Sequence, residues 1–128
     1  MTILVDTHAL LWAIDTPDKL SRRAQRTLTD RRNRIWLSTV SLWEIAIKIS
    51  AGRIALGADW RDLMESGRRA LRAQWLFVKP WHCHEVADLP WHHRDPFDRM
   101  LIAQAISEGM TLLTRDQAIG EYEVDVLW

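Results

Sequence analysis

Short apolar runs alternate with longer stretches of helical spacing, and this alternation predicts an α/β fold: a three-layer α/β/α sandwich around a short, mostly parallel central sheet of four to five strands. The runs Ile3-Leu4-Val5, Ile35-Trp36-Leu37 and Leu76-Phe77-Val78 are apolar at consecutive positions. That pattern suits strands covered on both faces rather than one. With 128 residues, no internal repeat and no linker-like tract, the chain reads as one domain over residues 1–128.

The first strand, Ile3 to Val5, feeds directly into a helix carrying Ala9, Leu10, Leu11 and Trp12. Ser21 is a natural cap for an Arg-rich helix running to about Arg32. Ile35 to Leu37 forms the second strand, and Val40 to Ile49 a helix that ends near Gly52. Gly57 to Asp59 leads into a helix from about Trp60 to Ala73, followed by the third strand, Leu76 to Val78, which Pro80 closes. A short helix around His84 to Ala87 stops at Pro90. Asp95-Pro96 opens a helix to Glu108, with proline at the first helical position, where its missing N–H costs nothing, and Gly109 ends it. Thr111 to Leu113 is the fourth strand and Val124 to Leu127 the fifth.

Composition narrows the function classes. The net charge is zero, so bulk electrostatics alone do not hold a polyanion. Yet 14 of the 17 basic residues are Arg, whose planar fork matches phosphates and carboxylates. No apolar run approaches the roughly 18 residues of a membrane span, and no membrane role is expected. The start of the chain lacks the pattern of a secretion signal, and the single Cys83 has no internal partner. The expected location is the cytoplasm.

Four acids stand at comparable places. Asp6 follows the first strand, Glu44 lies in the helix after the second, Asp98 lies in the first turn of the helix before the fourth, and Asp116 follows the fourth. In sheets of this kind ligands bind beyond the carboxyl ends of the strands. Carboxylates converging there repel one another unless protons or a cation neutralise them. All-oxygen ligation with room for water suits Mg2+ or Mn2+, and such an ion can drive hydrolysis of a phosphate ester. Each acid also has a local reading. Asp6 and Asp116 are good helix caps, Ser41-Leu42-Trp43-Glu44 fits a capping box, and Asp95-Pro96-Phe97-Asp98 is ordinary helix-start grammar.

The segments Leu4–Trp12, Ser41–Lys48, His93–Ala105 and Leu113–Asp116 closely resemble PIN-domain proteins, more narrowly the VapC-type toxins of bacterial type II toxin–antitoxin systems. The resemblance runs along the whole chain in the family's order and spacing. It implies a PIN-like α/β/α sandwich, a divalent metal (Mg2+ or Mn2+), endonucleolytic cleavage of RNA, a homodimer, and an antitoxin that blocks the site. The family's acids map to Asp6, Glu44, Asp98 and Asp116. Asp95 competes with Asp98 as third acid; Asp98 is preferred because Ala103, Ala105 and Gly109 then keep the family's offsets, and Asp95 suits the N-cap. The alternatives are a catalytically silent interaction module and a magnesium-dependent phosphatase; Asp6-Thr7-His8 lacks the Asp-x-Asp nucleophile pattern of one large phosphatase family.

Other residues are weighed beside these. Arg99, Arg115 and Thr114 adjoin the candidate acids and are placed as substrate or phosphate contacts; the two arginines read equally well as charges that moderate the repulsion among the acids. Trp12 and Trp43, on flanking helices, read first as core packing and second as a groove for a partner helix, whereas Trp36 and Trp75 belong to strands and to the core. His82-Cys83-His84 with His92-His93 matches no zinc spacing, so these read as surface or loop histidines; His8 reads as a helix-face residue. Arg22, Arg23, Arg26, Arg31, Arg32 and Arg34 read first as a solvated face and second as a phosphate or antitoxin contact.

Overall fold

Alternate side chains of a strand point to opposite faces, and in β1 (Thr2–Val5) the three residues Ile3, Leu4 and Val5 are all fully buried. Ile3 and Val5 enter one core, Leu4 a second. The computed structural model describes residues 1–128. After β1 come α1 (Thr7–Asp15), a 3-10 turn (Pro17–Lys19), α2 (Arg22–Thr29), β2 (Arg34–Ser38), α3 (Thr39–Ser50) and α4 (Trp60–Ala70). Then follow β3 (Gln74–Leu76), α5 (Pro80–Asp88), α6 (Pro96–Glu108), β4 (Thr111–Leu113), a second 3-10 turn (Gln117–Glu121) and β5 (Val126–Leu127). The five strands are parallel, in the order β3-β2-β1-β4-β5.

One core joins Ile3, Val5, Ile35 and Leu37 to Leu10 of α1, Ala24 and Leu28 of α2, Ile45 of α3 and Met64 of α4. The other joins Leu4 and Leu112 to Val40 of α3 and to Leu101 and Ile102 of α6. The expected α/β/α sandwich with a central parallel sheet is therefore the observed one. The helix α4 packs closely on α1: a Cβ added at Gly67 would stand 2.6 Å from Ile14 Cγ1, so only glycine fits without displacement.

Local grammar explains most boundaries. Ser21 Oγ accepts from Ala24 N–H at 3.0 Å, and Asp95 Oδ1 accepts from Phe97 N–H at 2.8 Å. Gly109 ends α6 in the left-handed conformation, at φ 65°. Several boundaries differ from expectation: α4 ends at Ala70 rather than Ala73, and β5 covers only Val126–Leu127 of the expected 124–127. The helix α2 stops at Thr29, because Asp30 turns the chain and binds the backbone and guanidinium of Arg32. The strand β3 covers 74–76, not 76–78. Its partner β2 ends at Ser38, opposite Leu76, so Phe77 and Val78 have nothing to pair with and stand exposed. Pro80 does not close that strand but opens α5.

Candidate active site

Sheet order fixes the site. β1 neighbours β4 with Val5 opposite Leu113, and the chain turns to opposite sides of the sheet from these two strands. This switch point is where side chains can gather beyond the strand ends. Asp6 N–H donates to Leu113 O at 3.1 Å, which ties the ends of the two strands together. Asp6, Asp98 and Asp116 line one open cleft of about 320 Å³, with His8, Trp12 and Arg115 at its margin. Glu44 is 4% exposed and lies close enough to push up the titration of both Asp6 and Asp98.

The four acids are held differently. Asp6 caps α1, its Oδ1 accepting from Ala9 N–H at 2.7 Å, and Asp116 caps the second 3-10 turn through Ala118 N–H at 3.0 Å. For these two, the capping residue is also the site residue, and Asp116 divides the roles, Oδ1 capping and Oδ2 facing His93. Glu44 is not a cap: Ser38 caps α3, and Ser41 instead accepts from Thr7 Oγ1 at 3.0 Å. Glu44 Oε2 meets Lys48 Nζ at 2.8 Å, while Oε1 is buried with no partner. Asp95 is the N-cap of α6, accepting from Phe97 and Asp98 N–H groups, whereas Asp98 turns into the cleft.

Electrostatics mark the cluster as short of positive charge. Burial, then the charges of Asp95, Asp6 and Glu44, push Asp98 up to about 7 against the pull of His93. Burial also raises Asp6, although the Thr114 hydroxyl and Ala9 N–H work in the opposite direction. A divalent cation fits here. The donors are almost all oxygens, one buried carboxylate oxygen lacks any partner, and burial, with neighbouring acids adding to it, raises two of the acids.

His93 was not among the expected site residues, and it stands in the middle of them. Its Nε2 lies 3.1 Å from Asp116 Oδ2 and 3.3 Å from Asp98 Oδ2, and the ligand atoms of the three residues lie within 4.8 Å of one another. Its Nδ1 accepts from Asp95 N–H at 3.1 Å, which leaves the proton on Nε2, facing the two carboxylates. The readable signal is a histidine two residues before an Asp-Pro helix start, close enough to reach forward and accept from the cap's own N–H.

A family model of the PIN domain matches residues 3–124. The chain belongs to the PIN-domain family. It is 25% identical over 119 residues to Ribonuclease VapC22 of Mycobacterium tuberculosis, covering 92% of this chain and 89% of that protein. The fold is similar to the crystal structure of VapBC2 from Rickettsia felis bound to a promoter DNA fragment, with TM-score 0.75, 15% identity and 99% and 98% of the two chains covered. It is similar also to DNA-bound VapBC from Salmonella typhimurium, with TM-score 0.70, 17% identity and 99% and 97% covered.

In this PIN domain two of the three expected contacts are redirected and one keeps its place. Arg99 does not face the cleft. It is 4% exposed and donates to Pro90 O at 2.8 Å and to Val86 O, Leu89 O and Tyr122 Oη at 3.3 Å, with its guanidinium 3.9 Å from the Trp91 ring. One residue beyond Asp98 is about 100° around the helix, which carries Arg99 beneath the end of α5. Thr114 is buried too; its hydroxyl accepts from Asp116 N–H at 3.1 Å and supports Asp6, so it positions acids rather than substrate. Arg115 remains exposed at the lip, 5.8 Å from the Trp12 ring.

The single groove expected between Trp12 and Trp43 is two surfaces. Trp12 walls the acidic cleft and packs edge-on against Trp128. Trp43 precedes the inward-facing Glu44, so it points outward and crosses Phe97 at 5.2 Å, over a separate apolar cleft with Val40, Val86 and Trp91. Trp36 and Trp75 are only partly buried and flank the two cores. The histidines disperse as well. His82 is fully buried rather than on the surface, accepting from Lys79 N–H and lying 3.1 Å from Glu108, while Cys83 is exposed.

Proposed function

We propose that this PIN domain is a divalent-metal-dependent endoribonuclease acting as the toxin of a toxin–antitoxin pair. The observation that carries the reading is the acid cluster at the switch point: four carboxylates on one edge of the sheet, one with a buried, unpartnered oxygen, and one pushed to about 7. Asp6, Asp98 and Asp116, with Glu44 behind them, would hold Mg2+ or Mn2+. Such an ion supplies an acidified water and stabilises charge developing on a phosphodiester. The protein's own groups do the remainder. His93 fixes the carboxylates of Asp98 and Asp116 by its Nε2–H, Thr114 fixes Asp6 and Asp116, and Arg115 at the lip offers a guanidinium to a phosphate.

The relative named a ribonuclease supports RNA as substrate, and the structural neighbours named VapBC support a protein partner that silences the site. A homodimer and a cytoplasmic location belong to the same reading. No helix is long and apolar enough to cross a membrane. The decisive experiment incubates the protein with RNA in Mn2+, in Mg2+ and in EDTA. Cleavage with either ion, absent in EDTA and absent for Asp98→Asn, is the expected result. RNA left intact by folded, metal-loaded protein would overturn the enzyme and favour a silent interaction module.

A further inference from the structure

At the edge of the sheet opposite the acids, α2, β2 and the start of β3 enclose a cavity of about 690 Å³. Arg34 opens β2, and Arg72 and Gln74 lead into β3, whereas Asp6 and Asp116 follow the far ends of β1 and β4. Strands of four to five residues separate the two edges by about 15 Å. Arg31, Arg34 and Arg72 line this cavity, all three exposed. None of their guanidiniums has a carboxylate within ion-pairing distance or a hydrogen-bond partner in the protein. Asp30 is the one acid in the lining, and Arg32 already engages it at 2.8 Å. Arg72 holds φ at 55°, a left-handed conformation at the end of α4 where glycine is usual.

The floor is apolar and the walls are selective. Leu28 and Ile35, of one core, and Trp36, half-buried against the other, all border the cavity, and Trp36 stands in register with Gln74 on the neighbouring strand. The Gln74 amide has no hydrogen-bond partner, which leaves a donor and an acceptor side by side at the rim. Unpaired guanidiniums, an aromatic wall and a free amide form the donor set that proteins use for the phosphate, face and edge of an unstacked nucleotide. An acidic peptide would use the arginines but would have no need of the indole and the amide.

We infer that the Arg31–Arg34–Arg72 cavity is a second nucleic-acid site, one that takes a single-stranded nucleotide with its phosphates at a distance from the acidic cleft. The identity of the polymer as RNA rests on the ribonuclease reading; the site itself does not.

The test measures binding without cleavage, using a single-stranded decaribonucleotide in EDTA. Replacing the three residues together (Arg31→Gln, Arg34→Gln, Arg72→Gln) weakens binding roughly tenfold and lowers the salt slope by about 2, because each lost phosphate contact removes about 0.7 of a released counterion. The oligonucleotide shifts the indole N–H resonance of Trp36 in wild type and not in the variant. The triple Arg→Lys variant keeps the charges and the fold; it retains the salt slope and loses affinity. Equal binding by wild type and the Gln variant overturns the site. So does poly-glutamate that competes as strongly as the RNA at the Trp36 resonance, which would make the pocket an acidic-partner site. Wild type that binds here and yet cuts no RNA with Mn2+ overturns the nuclease reading and leaves this one standing.

Discussion

Asp98 and Arg99 are adjacent in the chain and opposite in circumstance. Both are charged residues on α6 taken substantially out of water. Arg99 is surrounded by acceptors, with three carbonyls from the end of α5 and the Tyr122 hydroxyl, and its face is covered by Trp91. Asp98 is pushed to about 7 by burial first and by the acids around it second, with the His93 ring alone drawn against them. A buried charge that serves structure is matched group by group, because an unmatched one is costly. A buried charge left unmatched marks a place where something else is meant to bind. The two regions are also joined, since Tyr122 Oη accepts from both Arg99 and the backbone N–H of His93.

The largest effect expected from this contrast is on activity. Asp98→Asn should lower divalent-dependent RNA cleavage by at least about 10²-fold, the scale of removing one preorganised charge from a transition state. It should not destabilise the metal-free protein. An acid whose folded value is raised takes up more protons in the folded state than in the unfolded state. Asp98 therefore reduces stability as pH rises from about 4 to about 7. Thermal melts of wild type and Asp98→Asn in EDTA across that window should diverge, with the variant gaining on wild type as pH rises. A constant difference would mean that burial and the neighbouring acids do not raise Asp98 in the folded protein.

The next largest is on stability. Arg99→Met leaves several buried carbonyls without donors and should cost about 3 kcal/mol. Lysine at 99 should recover little, since a point charge does not replace a planar fork held against an indole. Denaturant titration reads both. If Arg99→Met melts like wild type and loses cleavage, Arg99 belongs to the site and the contrast fails.

His93 tests the boundary between the two kinds of residue. His93→Ala should weaken Mn2+ binding about tenfold, the lower range for losing a group that orients metal ligands. Isothermal titration decides it. Unchanged or tighter binding would show that the ring only occupies space that the ion needs.

These contrasts separate what the sequence makes legible from what it does not. Asp6 and Asp116 are legible because strand ends locate them directly, and parallel pairing of β1 with β4 brings them together. Glu44 is ambiguous in sequence: a serine three residues earlier imitates a capping box, and only the start of α3 at Thr39 shows Ser41 to be inside the helix. Arg99 misleads because adjacency to an acid in sequence is not adjacency on a helix. His93 is hidden because its role depends on Asp116 across the fold. The shift in β3 arises in the same way, since Phe77 and Val78 have strand-like character but no partner residues in β2. The arginines at 31, 34 and 72 come together only when β2 and β3 pair.

The smallest effect belongs to Asp95, and it sharpens the comparison most finely. Asp95 and Asp98 are three residues apart at the start of one helix, and either is a plausible third acid in sequence. Asp95 Oδ1 accepts from the Phe97 and Asp98 N–H groups, a role that asparagine fills equally well. Asp95→Asn should therefore change stability by less than about 0.5 kcal/mol and should keep most of the cleavage activity. It has one further consequence. Asp95 is, after burial, the largest influence raising Asp98, so removing its charge should move the Asp98 titration downward. The metal-free stability of Asp95→Asn should then begin its decline at the same pH as wild type, near 4, and end it at lower pH, with a smaller total loss. Carboxyl resonances followed by NMR through pH 4 to 8 read that shift directly. If Asp95→Asn abolishes cleavage while Asp98→Asn keeps it, the third acid is Asp95, and the unmatched charge on α6 lies three residues earlier than the geometry indicates.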